Sequence, residues 1–293
     1  MRPGTTNTNT QALVLSGGGG RGAYECGVYK YLEAIGYEPD ILVGTSIGAI
    51  NAAAIASGRS AAELEEAWLS TQTSDVHRFW RLKPWRSLYD TTPWRQTLRR
   101  YIDFDALPQT DNRLLIAATE LETGDLRFFD NREQDLTPDH ILASSSIPLV
   151  YPWTEVNGRH YWDGAVMANT PMAGAIDAGA DEIIVVLLSP IGEREIEPPR
   201  SPWHALTVIL DLALSATFEN DAKQIDAVNR LVMANLDDAH RYITYHVVAP
   251  SQATGLRRII QYEPKMSRRL IDMGYADTQR TLERVLARPT PAV

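Results

Sequence analysis

Gly44-Thr45-Ser46-Ile47-Gly48 lies between the apolar run Ile41-Leu42-Val43 and the small-residue stretch Ala49-Ile50-Asn51-Ala52-Ala53-Ala54. This is G-x-S-x-G with a strand before it and a helix after it, the context that gives the pentapeptide chemical meaning. A strand that turns into a helix within one residue holds the serine in a strained conformation and lifts its hydroxyl above the end of a sheet. Side chains at positions 44 and 48 would strike the neighbouring strand or helix, so glycine is required at both. The helix that starts after Ser46 points unpaired N–H groups at any anion forming beside the hydroxyl. A bare G-x-S-x-G is in many chains a plain surface turn, and it is the strand before and the small-residue helix after that favour Ser46 as a nucleophile at a strand end.

Serine needs a base to take its proton and donors to hold the oxyanion. The donors are legible in Ser16-Gly17-Gly18-Gly19-Gly20-Arg21-Gly22, which follows the short apolar strand Ala12-Leu13-Val14-Leu15 and opens a helix. The N–H groups of Gly17, Gly18, Gly19, Gly20, Arg21 and Gly22 can converge there without obstruction, and the N–H of Ile47 adds to them. Losing one such donor typically costs ~100- to 1000-fold in rate. The same glycines spell G-x-G-x-x-G, the dinucleotide fingerprint, which wants an acidic residue at the end of the second strand. Asp40 has roughly the spacing but stands at the start of that strand, which counts against a nucleotide. For the base, Asp163 in Asp163-Gly164-Ala165 closes the apparent strand His160-Tyr161-Trp162. A buried carboxylate has a raised pKa and becomes a better base. The late histidines His204, His240 and His246 stay open as alternatives in a triad, whereas His77, His140 and His160 have no telling context.

Strands alternate with helices along the chain, which argues for a mostly parallel sheet covered on both faces, a three-layer α/β/α arrangement. Residues 1–10 read as a disordered tail and 11–293 as a single domain, with a motif-bearing core over about 12–190 and a helical C-terminal part over 203–287. Within it, Ser60-Ala61-Ala62-Glu63 reads as a capping box, Leu114–Leu121 and Leu126–Phe129 as a hairpin, and Asp139–Ser146 as a short helix. Glu182–Leu188 reads as a buried parallel strand, and 203–235 and 264–287 as long helices around a strand at Tyr242–Val248. The 293 residues carry a formal charge of -9, which opposes nucleic-acid binding. Cys26, alone of its kind, excludes an internal disulfide and fits a packed thiol in a reducing compartment. No run approaches the ~20 apolar residues of a membrane span, and the polar N-terminal stretch has no signal-peptide character. The expectation is a cytoplasmic protein, peripheral at most to a membrane.

Gly17-Gly18-Gly19-Gly20-Arg21-Gly22, Gly44-Thr45-Ser46-Ile47-Gly48 and Asp163-Gly164-Ala165, in that order, resemble the patatin-like phospholipases. Ala143-Ser144-Ser145-Ser146-Ile147-Pro148 is similar to the family's A-S-x-x-x-P segment, and Asp163 to Pro171 to its D-G-x-x-x-x-N-x-P run. The resemblance covers roughly residues 12–190. It implies a Ser–Asp dyad without histidine that cleaves lipid acyl esters independently of calcium, with no cofactor or metal. On that basis Ser46 is the nucleophile, Asp163 the base and Gly17–Gly22 the oxyanion loop, while Arg21 orders the loop, meets a phosphate or forms a salt bridge. The third motif ends in Ala165 where many members have glycine. The implied substrate is a phospholipid or other glycerolipid ester. An acyltransferase or thioesterase on the same dyad, or a non-catalytic lipid-binding module, are the alternatives.

Segment 76–101 concentrates Trp80, Trp85 and Trp94 among Arg78, Arg81, Lys83, Arg86, Arg95, Arg99 and Arg100. Interfacial aromatics beside cations suit an anionic lipid surface, so the segment reads either as a docking surface over Ser46 or as core tryptophans with water-facing arginines. Leu206–Leu214 reads as the wall of an acyl pocket or as plain core. The sequence says nothing of oligomeric state.

Overall fold

The computed structural model describes residues 9–79, 87–192, 198–255 and 259–286, with some side chains of the long helix after residue 201 and those of the last two of these residues excepted. The strands are β1 Gln11–Leu15, β2 Ile41–Thr45, β3 Arg78–Phe79, β4 Tyr89–Asp90, β5 Arg113–Glu120, β6 Leu126–Asp130, β7 Thr154–Val156, β8 Arg159–Asp163, β9 Glu182–Val186 and β10 Thr244–Val248. The helices are α1 Ala23–Ala34, α2 Ile47–Ala56, α3 Ala61–Ser70, α4 Thr73–Val76, α5 Thr92–Tyr101, α6 Pro138–Ser144, α7 Met172–Asp177, α8 Pro202–Met233 and α9 Pro264–Leu286.

The main sheet runs β10-β9-β1-β2-β5-β8-β7, with β6 also on β5. β10, β9, β1, β2 and β5 are mutually parallel, while β6 and β8 run antiparallel to β5, and β7 antiparallel to β8. Side chains alternate between two cores as the pleat requires. Leu13, Leu15, Leu42 and Ile116 face a core closed by α1, α2 and α9, with Tyr24, Ile50 and Leu270 buried in it. Ala12, Val14, Val43 and Val185 face the opposite core, closed by Met172 and Ala175 of α7 and by Phe218 and Ile225 of α8. The expected three-layer α/β/α arrangement with a mostly parallel sheet is present.

One detail of register positions the site. β2 lies along one edge of β5 and ends with Thr45 opposite Ala117. β6 occupies the other edge of β5 from Leu115 to Thr119. β8 must therefore take the edge that β2 vacates, and it arrives from the opposite direction to end with Asp163 opposite Ala118. The last residues of β2 and β8 thus meet end to end on adjacent residues of β5.

Local readings survive with small shifts. Ser60 and Glu63 form the capping box of α3, β5 and β6 form the hairpin, and α6 begins at Pro138 because Thr137 and His140 close a box there. Residues 1–8 of the expected tail lie outside the described residues. Thr10 is no tail residue, since its N–H donates to Asp181 Oδ2 at 3.0 Å.

The segment with many cations has more regular structure than its composition announces, because β3 pairs with β4 and α5 presents an apolar face. Trp94 is buried there as core. Arg78, Arg95 and Arg100 pair with Asp90, Asp139 and Asp75. Trp80, Arg81, Lys83, Trp85 and Arg86 lie outside the described residues.

The abutment of β2 and β8 leaves little room at Gly164, where an added Cβ would stand 2.5 Å from the carbonyl oxygen of Ala117. Ala165 is only half-buried. Gly164→Ala should therefore cost about 1–3 kcal/mol of stability in denaturant titration, while Ala165→Gly should cost under about 1 kcal/mol. Equal losses would contradict this packing.

Candidate active site

Ser46 has φ 56° and ψ -120°, a left-handed conformation that its surroundings must enforce. An added Cβ on Gly44 would lie 2.4 Å from the carbonyl of Gly48, and one on Gly48 would lie 2.3 Å from Leu15 O. Glycine at both positions is thus a steric requirement of the turn, as its spacing implied. The N–H of Ser46 donates to Ser144 Oγ at 2.8 Å, a contact that ties the turn to α6. The A-S-x-x-x-P segment thus has a concrete task, one that sequence reasoning had not assigned to Ser144.

Asp163 is buried at 3% exposure. Its carboxylate accepts the N–H of Ala165 at 2.8 Å, and the Ser46 hydroxyl acts on it as a further hydrogen-bond donor. Burial dominates, however, and pushes the Asp163 carboxyl up to about 7. Its charge also reaches the buried phenols Tyr151 and Tyr262, holding their protons on more tightly. The two residues singled out in distant motifs are therefore brought together, a strained serine beside a buried carboxyl of raised pKa.

The glycine loop lies beside Ser46, where a Cβ on Gly17 would stand 3.3 Å from Ser46 Cβ. Gly19–Gly22 is a short 3-10 turn leading into α1. Some of its expected donors are already engaged, since the N–H of Gly17 goes to Asn169 O at 3.0 Å and that of Arg21 to Gly18 O at 3.3 Å. The N–H of Gly22 belongs to the 3-10 turn's own bonding, so Gly18, Gly19, Gly20 and Ile47 remain as the candidate donors. Arg21 is buried, with Nε donating to Gly18 O at 3.2 Å and Nη1 to Ser189 Oγ at 3.2 Å, so it braces the loop from within. These two contacts fit the role of ordering the loop.

Below the loop, Asn51 joins three helices. Its Nδ2 donates to Gly22 O at 3.0 Å and Glu25 Oε2 at 2.7 Å, and its Oδ1 accepts Trp68 Nε1–H at 3.1 Å. Burial holds the Glu25 carboxyl well above the usual carboxylate range. Neither Asn51 nor Glu25 stands out in the sequence, because a polar side chain in a helix reads as surface until its neighbours are known.

The histidines have other work. His77 Nδ1 bonds the Tyr151 hydroxyl at 2.8 Å, and burial pushes its pKa down to about 4. His140 caps α6, His160 meets Glu122, His240 meets Asp237 and His246 meets Glu182. The side chain of His204 lies outside the described residues, as do most of Leu206–Leu214. Asp40 accepts the N–H of Gln11 at 2.8 Å at the end of the sheet away from Ser46, which removes it from any nucleotide site. Cys26 is fully buried and its thiol is pushed up by desolvation, consistent with an inert packed cysteine.

Beside the loop, a cleft of about 30 Å³ is lined by Gly17, Asn169, Leu188, Ile191, Phe218 and Glu219, among others. It opens between the ends of β1 and β9 and the helix α8, which is where ligands collect in sheets of this kind.

Known proteins resemble this chain at the level of family. Residues 13–176 match the family model described as patatin-like phospholipase. The chain is 27% identical to the cGAMP-activated phospholipase of Escherichia coli over 222 residues, covering 62% of this chain and 62% of that one. It is 27% identical to human patatin-like phospholipase domain-containing protein 6 over 184 residues, covering 61% of this chain and 13% of that protein. It is 29% identical to an uncharacterized NTE family protein of Mycobacterium tuberculosis over 178 residues, covering 61% of this chain and 49% of that one. The match spans less than two thirds of each relative.

The raised carboxyl has a consequence for stability. Unfolding returns Asp163 from about 7 to near 3.8, so the folded state binds its proton more tightly. Stability is therefore lost as pH rises from about 4 to about 7 and is level above that. Asp163→Asn, which cannot ionise, should be more stable than wild type by about 2–4 kcal/mol at pH 8 and roughly equal to it below pH 4 in urea titrations. A difference independent of pH would contradict the buried carboxyl.

Proposed function

Because the chain belongs to the patatin-like phospholipase family, we propose that it is a lipid acyl hydrolase working through Ser46 and Asp163. The observation that carries this reading is the pairing of a strained serine with a buried carboxyl titrating near neutrality. Ordinary carboxylates are weak bases, and a pKa close to the working pH matches the base to its task.

In the proposed reaction Asp163 accepts the Ser46 proton as Oγ attacks the ester carbonyl. The tetrahedral oxyanion is held by the N–H of Ile47 and by those of the glycine loop that remain uncommitted. Collapse expels the alcohol, which takes the proton from Asp163, and leaves an acyl-Ser46 ester. Water, deprotonated in turn by Asp163, then releases the fatty acid and restores the serine. The substrate is a phospholipid, lysophospholipid or other glycerolipid ester. Phe79, 64% exposed, and Leu149, 73% exposed, lie on strands and loops joined through the Leu88 N–H to Leu149 O bond, and they offer an apolar contact for a lipid aggregate. No helix among the described residues is long and apolar enough to cross a membrane.

A lipid panel read by mass spectrometry tests the reading. Ser46→Ala and Asp163→Asn should each lower kcat by ~1000-fold or more, and fluorophosphonate labelling should vanish in Ser46→Ala. Full activity in Asp163→Asn would discard the pair.

The pH profile tests the base separately. Asp163 must be ionised to act, so kcat/KM should rise with pH and level off around 7. A profile flat between pH 5 and about 8 would assign the base elsewhere.

A further inference from the structure

The oxyanion side of the site holds a polar group that no step above uses. Asn169 is buried at 7% exposure, and its Oδ1 is enclosed without a hydrogen-bond partner among the described residues. We propose that the side-chain amide of Asn169 is a catalytic residue that donates from Nδ2 to the oxyanion formed on the substrate carbonyl; this rests on the acyl-hydrolase reading.

Position is the first argument. The Cβ site that Gly17 leaves empty lies 2.6 Å from Asn169 Oδ1 and 3.3 Å from Ser46 Cβ. The amide and the nucleophile therefore flank the same small space, which stays open because residue 17 has no side chain. Asn169 and Gly17 also line the cleft together.

Chemistry is the second. The backbone carbonyl of Asn169 takes the N–H of Gly17, which the glycine motif would otherwise offer to the oxyanion. The same residue thus removes one donor from the loop and carries another on its side chain. A side-chain amide is an established kind of oxyanion donor. Since Oδ1 has no partner among the described residues, turning the amide over to present Nδ2 breaks no hydrogen bond described for that oxygen, and the two ends have nearly the same shape.

Anchoring is the third. The residues on either side of Asn169 are held across the strand ends, the Ala168 carbonyl by Thr45 Oγ1 donating at 2.9 Å and the Thr170 hydroxyl by that of Ser16 at 2.8 Å. The amide is thereby fixed in position, with its oxygen unused by the described residues. A buried polar group that no protein atom satisfies costs stability. Its retention next to a nucleophile is accounted for when the missing partner is the reacting oxygen.

The test uses the full chain with p-nitrophenyl butyrate, a fluorophosphonate label on Ser46, and an alkyl trifluoromethyl ketone as a mimic of the tetrahedral adduct. Asn169→Ala and Asn169→Asp, the latter of the same shape without the donor, should lower kcat by ~100- to 1000-fold with KM changed less than about threefold. Affinity for the ketone should fall by the same factor as kcat/KM, and the melting temperature of Asn169→Ala should not drop. A kcat within about threefold of wild type in either folded variant overturns the proposal. So does a loss in KM alone, or a lowered melting temperature with the ketone affinity unchanged. A wild-type chain that neither cleaves the ester nor takes the label overturns the hydrolase reading and this proposal together. Wild-type activity matched by Asn169→Asp overturns only the role of Asn169.

Discussion

The arrangement depends on β5 serving two strands along one edge. β2 reaches Ala117 from one direction and β8 reaches Ala118 from the other, because β6 blocks the opposite edge. Backbone hydrogen bonding leaves no freedom in that register, so the residue just past the end of β2 and the last residue of β8 are forced together. The first is Ser46 and the second is Asp163. Their encounter follows from ladder pairing and needs no direct attraction between them, which matters because burying a lone carboxylate is unfavourable.

The same junction accounts for the electrostatics. Strand ends that abut exclude water, and the Asp163 carboxyl has no cation among the causes that shift it. Desolvation outweighs the donors from Ala165 and Ser46, and the group titrates near neutrality. The cost to stability is carried by the surrounding cores, formed by α1, α2 and α9 on one face and α7 and α8 on the other. The glycine loop then completes one side of the junction, braced by Arg21 from within and by Asn51 from below.

The 163–170 segment links these parts. It leaves β8 at Asp163, passes the end of β2 where Thr45 bonds Ala168, and reaches the end of β1 where Asn169 takes the Gly17 N–H. A single short stretch therefore couples the carboxyl, the turn and the loop. That gives the spacing from Asp163-Gly164 to Asn169 a structural reason, since it is the length that spans the two strand ends.

Much of this was readable in the chain. G-x-S-x-G between an apolar run and small residues required a strand, a turn and a helix, since only glycine fits at Gly44 and Gly48. The alternation of strands and helices required a covered, mostly parallel sheet, because each element carries its apolar face in its own periodicity. What the sequence could not supply was the partner of each polar group. The N–H of Gly17 looked free and is taken by Asn169. Ser144, Asn51 and Glu25 looked ordinary and hold the site together, and His240 and His246 looked eligible and are engaged elsewhere. Local propensity and steric need are properties of neighbouring residues, so one dimension records them. Hydrogen-bond partners and desolvation depend on which distant strands share an edge, and only the folded sheet decides that.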